Sequence, residues 1–189
     1  MKRLSQTALA GAVAISFAIG AIASAAYAED TKMVGGAAMY PSKNIIQNAV
    51  NSKDHTTLVA AVKAAGLVDT LSGKGPFTVF APTNAAFKKL PPGTVETLLK
   101  PENKDKLTKI LTCHVVAADA MASAIKKMIK DDGGAHKIKT VGGCTLTAKL
   151  KGDKIEVIDE KGDVATVTIA NVKQSNGVIH VVDTVLLPG

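Results

Sequence analysis

The chain has no tryptophan, four phenylalanines and two tyrosines, so aromatic residues make up 3% of its 189. Beyond the first 28 residues the aromatics are Tyr40, Phe77, Phe80 and Phe87. Four are too few to build a platform on which successive bases stack, which excludes single-stranded nucleic acid as a partner class. Arginine is also nearly absent: Arg3 is the one copy, and every later basic residue is lysine. Without the planar guanidinium fork the chain lacks the group that reads base edges and grips phosphate at two points, so sequence-specific nucleic-acid recognition is excluded as well. There is no G-x-S-x-G elbow, since Ser175 precedes Asn176-Gly177, and no pair of carboxylates stands at a spacing suited to acid–base work. With no nucleophile, base and oxyanion donors placed on loops, enzymatic activity is not expected, and no cofactor is called for. Cys113 and Cys144 are the only cysteines and no C-x-x-C is present, which makes a zinc site the weaker account of them.

What is present begins with Lys2 and Arg3, an apolar stretch from about Ala8 to Ala23, and Ala26-Tyr27-Ala28 just before Glu29-Asp30. That order reads as a secretory signal peptide over residues 1–28. An uncleaved anchor fits poorly, because the run is rich in Ala and Gly and shorter than about 20 residues. No integral membrane segment is expected after cleavage. The 23 basic residues include Lys2 and Arg3; without them 21 lysines face 16 acidic residues, a net charge near +5. Such an excess is a solvated lysine surface, or a weak attraction to anionic polysaccharide or lipid headgroups. An exported chain meets an oxidising compartment, where Cys113 and Cys144 are expected to pair.

The remaining 161 residues suit one domain. Residues 29–40, small and aperiodic around Gly35-Gly36, read as a flexible lead-in to a domain over 41–189. Helices are expected from Pro41-Ser42 to Val50, from about Thr56 to Ala65 with Asp54 as cap and Gly66 as stop, over Val95–Leu99 capped by Thr94, over Pro101–Leu111, and from Asp119 to Lys130. The last carries an apolar stripe of Met121, Ala124, Ile125, Met128 and Ile129. His55, beside the expected cap, reads as exposed. Phe77–Phe80 has strand composition and stops at Pro82; Thr83 or Asn84 then caps a turn of helix bearing Phe87. Cys113–Val116 reads as a short strand. From Lys137 the period becomes two, with strands near Lys137–Val141, Thr145–Leu150, Lys154–Asp159 and Val164–Ile169 separated by glycine turns. Val178–Leu187 is apolar enough to be buried on both faces. Helices followed by a meander of strands indicate an α+β domain.

Thr78–Phe87 and Ser175–Pro188, with Leu111–Val116 between them, resemble the two conserved boxes and the histidine-containing motif of the fasciclin domain. The resemblance covers about Tyr40 to Pro188. It implies a β-wedge of about seven strands packed with several α-helices, in secreted or surface-attached proteins that mediate adhesion. Similar single-domain bacterial proteins are associated with attachment to surfaces or hosts, and some relatives elsewhere bind carotenoids. Two departures matter. Cys113 stands where the family commonly has Tyr before the motif's His, which undercuts any receptor role for that motif. The stretch Ala117–Ala135 is longer than usual and offers Lys126, Lys127 and Lys130 as surface-binding residues.

The residues Thr78, Phe80, Pro82, Thr83, Asn84, Phe87, His114, Asn176, Gly177, His180 and Asp183 are expected to be structural. Histidines in apolar runs are more often bonded core residues than sites, and amides at turns bond neighbouring backbone. The expected function is a secreted interaction module for cell adhesion or surface and host attachment, its partner a cell-surface or matrix protein or polysaccharide. Two other readings stay open: a carrier of an apolar molecule such as a carotenoid or lipid, suggested by the Met-bearing helix, and a structural envelope protein without a ligand. Location is secreted or periplasmic.

Overall fold

The computed structural model describes residues 30–189; the expected signal peptide lies outside them. Its first element corrects the flexible lead-in. Strands β1 (Lys32–Val34) and β2 (Ala37–Met39) pair antiparallel across Gly35 and Gly36, whose φ of 57° and 76° is the left-handed geometry that a two-residue hairpin needs. Three-residue strands carry too little pattern to be read as strands. They form because Val34 and Met39 drop into the core and because Lys32 Nζ donates to the Ala170 carbonyl at 2.6 Å.

Helix α1 (Ile45–Ala49) starts later than expected, at a capping box in which Asn44 and Gln47 each accept from the other's backbone N–H. Helix α2 (Thr56–Ala65) ends as expected at Gly66, with φ 73°. A 3₁₀ turn over Lys53–His55 precedes it, and Asp54 does not cap it. There follow α3 (Val68–Ser72), which the sequence did not announce, β3 (Phe77–Pro82), α4 (Asn84–Lys88), α5 (Thr94–Leu98), entered from Gly93 rather than capped by Thr94, and α6 (Lys104–Cys113). The expected strand at Cys113 is corrected: Leu107, Ile110, Leu111 and Cys113 are all buried on one helix face, so helical packing wins for one more turn. Only Val115–Val116 remains as β4. Helix α7 (Ala122–Asp131) buries Ala122, Ile125 and Ile129; Ala124, expected on that stripe, is exposed.

The meander is β5 (Ala135–Lys139), β6 (Thr145–Lys151), β7 (Lys154–Ile158), β8 (Val164–Gln174) and β9 (Gly177–Val182). Strand β8 runs past the expected Ile169 because register shifts around Ile169 and the positive φ of Asn171 interrupt its period. The seven-stranded sheet has the order β4-β3-β9-β8-β7-β6-β5. β3 and β9 are parallel and the other pairings antiparallel. The sheet nearly closes on itself, since Val141 N–H donates to the Val115 carbonyl at 2.7 Å and Gly142 N–H to the Thr112 carbonyl at 3.0 Å. The sulfurs of Cys113 and Cys144 meet at bonding distance beside this seam, with Cα atoms 5.4 Å apart.

The parallel pair divides two cores. Val79 and Ala81 of β3, with Ile179 and Val181 of β9, face the helices α1 to α6. Phe80 and Val182 face the wedge that β5 to β8 and α7 fill. Both strands are therefore buried on both sides, which is why they read as unbroken apolar runs. The result is an α+β wedge of seven strands with seven α-helices among the described residues.

Candidate functional site

The motif residues converge on the parallel pair and bond inward. Thr78 Oγ1 donates to the Ala118 carbonyl at 2.5 Å and accepts from Ala120 N–H at 2.8 Å, fixing the crossover into α7. Phe80 stacks on His180, ring centroids 5.8 Å apart. His180 accepts Asn171 N–H at Nδ1 (3.3 Å), and its Nε2 lies 2.8 Å from the Ala120 carbonyl, so the proton sits on Nε2. Burial lowers its pKa, and the Ala120 bond offsets part of that. Pro82 ends β3 opposite Val182, Thr83 accepts Ala86 N–H and caps α4, and Phe87 lies in the helical core.

Asn84 supplies the cap that Asp54 does not. Its Oδ1 accepts from Thr57 N–H at 3.0 Å and from Thr56 Oγ1 at 3.2 Å, and its Nδ2 donates to the Lys53 carbonyl at 2.8 Å. Asn176 acts likewise at the other end: Oδ1 accepts Ile45 N–H at 3.0 Å, and Nδ2 donates to the carbonyls of Leu71 (2.8 Å) and Gly73 (2.9 Å). One amide thus ties α1, α3 and the β8–β9 turn together. Beside it, a Cβ on Gly177 would overlap the Phe77 carbonyl.

His114 is fully buried between α6 and the C-terminal segment. Nδ1 donates to the Ile110 carbonyl at 2.8 Å, and Nε2 accepts Leu186 N–H at 2.9 Å. Burial pushes its pKa down to about 4, with the Ile110 bond opposing. Asp183 accepts Thr166 N–H at 2.8 Å, with Lys89 Nζ 3.8 Å from its second oxygen. Lys126, Lys127 and Lys130 ride on α7, away from these residues; Lys127 reaches Asp131 at 2.5 Å.

Several polar residues escaped sequence reasoning. Asn48 is buried and holds Gln174, with both backbone groups of Tyr40 bonded to its amide. Asp159 is buried and accepts from Lys161, Asp163 and Leu187 N–H. His55 is buried at 3% exposure, which corrects the exposed reading. The 3₁₀ turn rotates it inward to Ser52 Oγ, 2.8 Å from Nδ1. Its Nε2 meets no partner in hydrogen-bond geometry, although the Ala81 backbone lies near enough to oppose the lowering that burial imposes on its pKa. Ser52 and His55 line an apolar chamber with Leu58, Val62, Leu71 and Leu111. Its free space is about 50 Å³. Among the described residues, no three His, Cys, Asp or Glu side chains gather as metal ligands. No helix there is long and apolar enough to cross a membrane.

Residues 53–188 match the model of the fasciclin domain. The chain is 46% identical over 186 residues to "Protein sll1483" of Synechocystis sp., a match covering 96% of this chain and 93% of that one. It is 38% identical over 145 residues to the cell surface glycolipoprotein MPB83 of Mycobacterium bovis, covering 74% of this chain and 58% of the relative. Among solved structures it resembles a FAS1 domain pair from the insect cell adhesion molecule fasciclin I. The TM-score is 0.70 at 18% identity, over 78% of this chain and 52% of the other.

Proposed function

Because the chain belongs to the fasciclin-domain family, we propose that it is an exported, non-enzymatic interaction module that attaches its cell to a surface or matrix component. One observation carries the reading: Thr78, Asn84, His114, Asn176 and His180 all spend their polar atoms on the protein's own backbone. The motifs thereby build a scaffold, and recognition falls to loops, helix faces and the outer sheet. Relatives that carry "cell surface" and "cell adhesion" in their names support the same kind of role.

A carrier of a carotenoid or lipid is the second reading, favoured by the apolar lining of the chamber beneath β1–β2. Its free space of about 50 Å³ is far below what such a ligand occupies, so the adhesion role stands first. Recovery of pigment or lipid with protein purified from its own cells would reverse that order. The primary test deletes the gene and measures attachment, with the purified protein added back. Lost attachment that the protein restores is the expected result; unchanged attachment overturns the proposal. Export is checked by the N-terminus of the recovered protein, expected at Glu29.

A further inference from the structure

The outer face of β5, β6 and β7 carries a track of lysines. Strand alternation turns Ile138, Leu146, Ala148, Ile155 and Val157 into the wedge, which leaves Lys137, Lys139, Lys149, Lys151 and Lys154 pointing to solvent, all exposed. Register fixes their arrangement: Lys139 lies opposite Thr145, Lys137 opposite Thr147, Lys149 opposite Glu156, and Lys151 opposite Lys154. With strands about 4.8 Å apart and alternate residues about 7 Å apart, the five ammonium groups form a diagonal line roughly 20 Å long.

Protection of a sheet edge accounts for lysines on β5, which is an edge strand. It does not account for Lys149, Lys151 and Lys154, which lie on the interior strands β6 and β7. Like charges directly opposite one another, as in Lys151 and Lys154, destabilise a sheet unless something neutralises them. Glu156, whose carboxylate is 3.3 Å from Lys151 Nζ, is the one acidic side chain on that face of these strands, with Asp153 in the adjoining turn. Among the described residues Lys137, Lys139, Lys149 and Lys154 form no ion pair, whereas Lys127 of α7 has Asp131.

We propose that this face binds a linear anionic polysaccharide, laid along the lysine track with one acidic group every one or two sugars. The inference rests on the adhesion reading and assigns its partner. A single-file row of charges fits a chain better than a bilayer. Thr145 and Thr147 alongside offer hydroxyls to sugar hydroxyls, and no aromatic residue is present on this face to seat in a lipid interface.

The test measures binding of the purified protein to polygalacturonate, to neutral dextran, and to vesicles of 30:70 phosphatidylglycerol and phosphatidylcholine. It uses wild type, a sheet variant (K137Q/K149Q/K151Q) and a helix variant with the same charge change (K126Q/K127Q/K130Q). Wild type is expected to bind polygalacturonate and not dextran, with affinity falling as salt rises. The sheet variant should lose about ten-fold or more, and the helix variant less than about two-fold. Equal losses in both variants, no loss in the sheet variant, or a preference for vesicles each overturns the proposal. Unfolding midpoints of both variants separate lost binding from lost fold. Polyuronate binding abolished in cells that still attach sinks this inference alone, whereas attachment unaffected by gene deletion sinks the adhesion reading alone.

Discussion

Acidification should destabilise this domain well above the pH at which carboxylates titrate, and His114 is the main reason. In the folded protein its ring is neutral, with the proton on Nδ1 donated to Ile110 and Nε2 accepting Leu186 N–H. A second proton on Nε2 would face the Leu186 N–H, donor against donor, in a buried site. The imidazole is accordingly held at about 4 when folded, against an ordinary 6.5. Between those values the unfolded chain binds the proton and the native one does not, so unfolding takes up protons and stability rises with pH. The contribution is complete above about pH 6.5 and is lost as pH falls from there toward 4. At about 1.4 kcal/mol per unit, some 2 to 3 kcal/mol should disappear between pH 7.5 and 4.5. His180 and His55 are lowered by burial as well and act in the same direction. Glu160, lowered by backbone N–H bonds from Gly189 and Thr145, falls in a different window, its contribution lost only below its ordinary 4.5. Urea unfolding at pH 7.5, 6.5, 5.5 and 4.5 measures the slope. His114→Gln should start less stable and lose clearly less on acidification. An acid slope identical to that of wild type would refute the assignment.

Three further perturbations follow from the same geometry. Asn84→Ala removes the cap of α2 and the bond to Lys53, and should cost about 2 kcal/mol in urea unfolding; a loss below about 0.5 kcal/mol would show that Thr56 and Thr57 find water at no cost. Cys113→Ser with Cys144→Ser opens a loop spanning 31 residues, with an expected loss of about 3 to 4 kcal/mol from the unfolded chain's regained freedom. Reduction of wild type should reproduce it, and an unchanged midpoint would show that the seam bonds hold without the staple. Gly177→Ala forces a Cβ against the Phe77 carbonyl at a residue with φ 153°; a soluble, cooperatively unfolding variant within 1 kcal/mol of wild type, a loss ordinary for any substitution, would contradict the packing of β3 on β9.

How much of this was legible in the sequence depended on how far each interaction reaches along the chain. Helix α2 and its Gly66 stop, the glycine turns of the meander and the doubly buried strands β3 and β9 declare themselves through period and turn chemistry within a few residues. The β1–β2 hairpin does not, because three-residue strands have no measurable period and owe their form to Val34 and Met39 finding the core. Asp54 was a reasonable local cap, yet Asn84 fills that role from nearly thirty residues away. His55 read as exposed because nothing beside it in sequence reveals Ser52 as its inward partner. The motif residues expected to be structural bond to the protein's own backbone, with partners that were not foreseeable: Asn176 bonds residues more than a hundred positions earlier.

That division of labour has a consequence for any search for the binding surface by mutation. Asn84, Asn176, His114 and His180 each bridge separate elements through hydrogen bonds, so substitution there lowers the folded fraction everywhere at once. Attachment would then fall in proportion to stability, and a scan that recorded attachment alone would mistake the scaffold for the site. Exposed residues on the outer sheet behave oppositely: among the described residues Lys137 and Lys149 form no ion pair and Lys151 has only the one with Glu156, and their replacement should leave the unfolding midpoint within about 0.5 kcal/mol of wild type. Plotting attachment against stability therefore separates the two classes. Motif variants should fall on one rising line, and binding residues should drop beneath it at full stability. If every variant that loses attachment lies on the line, attachment depends on the scaffold alone and the outer sheet has no part in it.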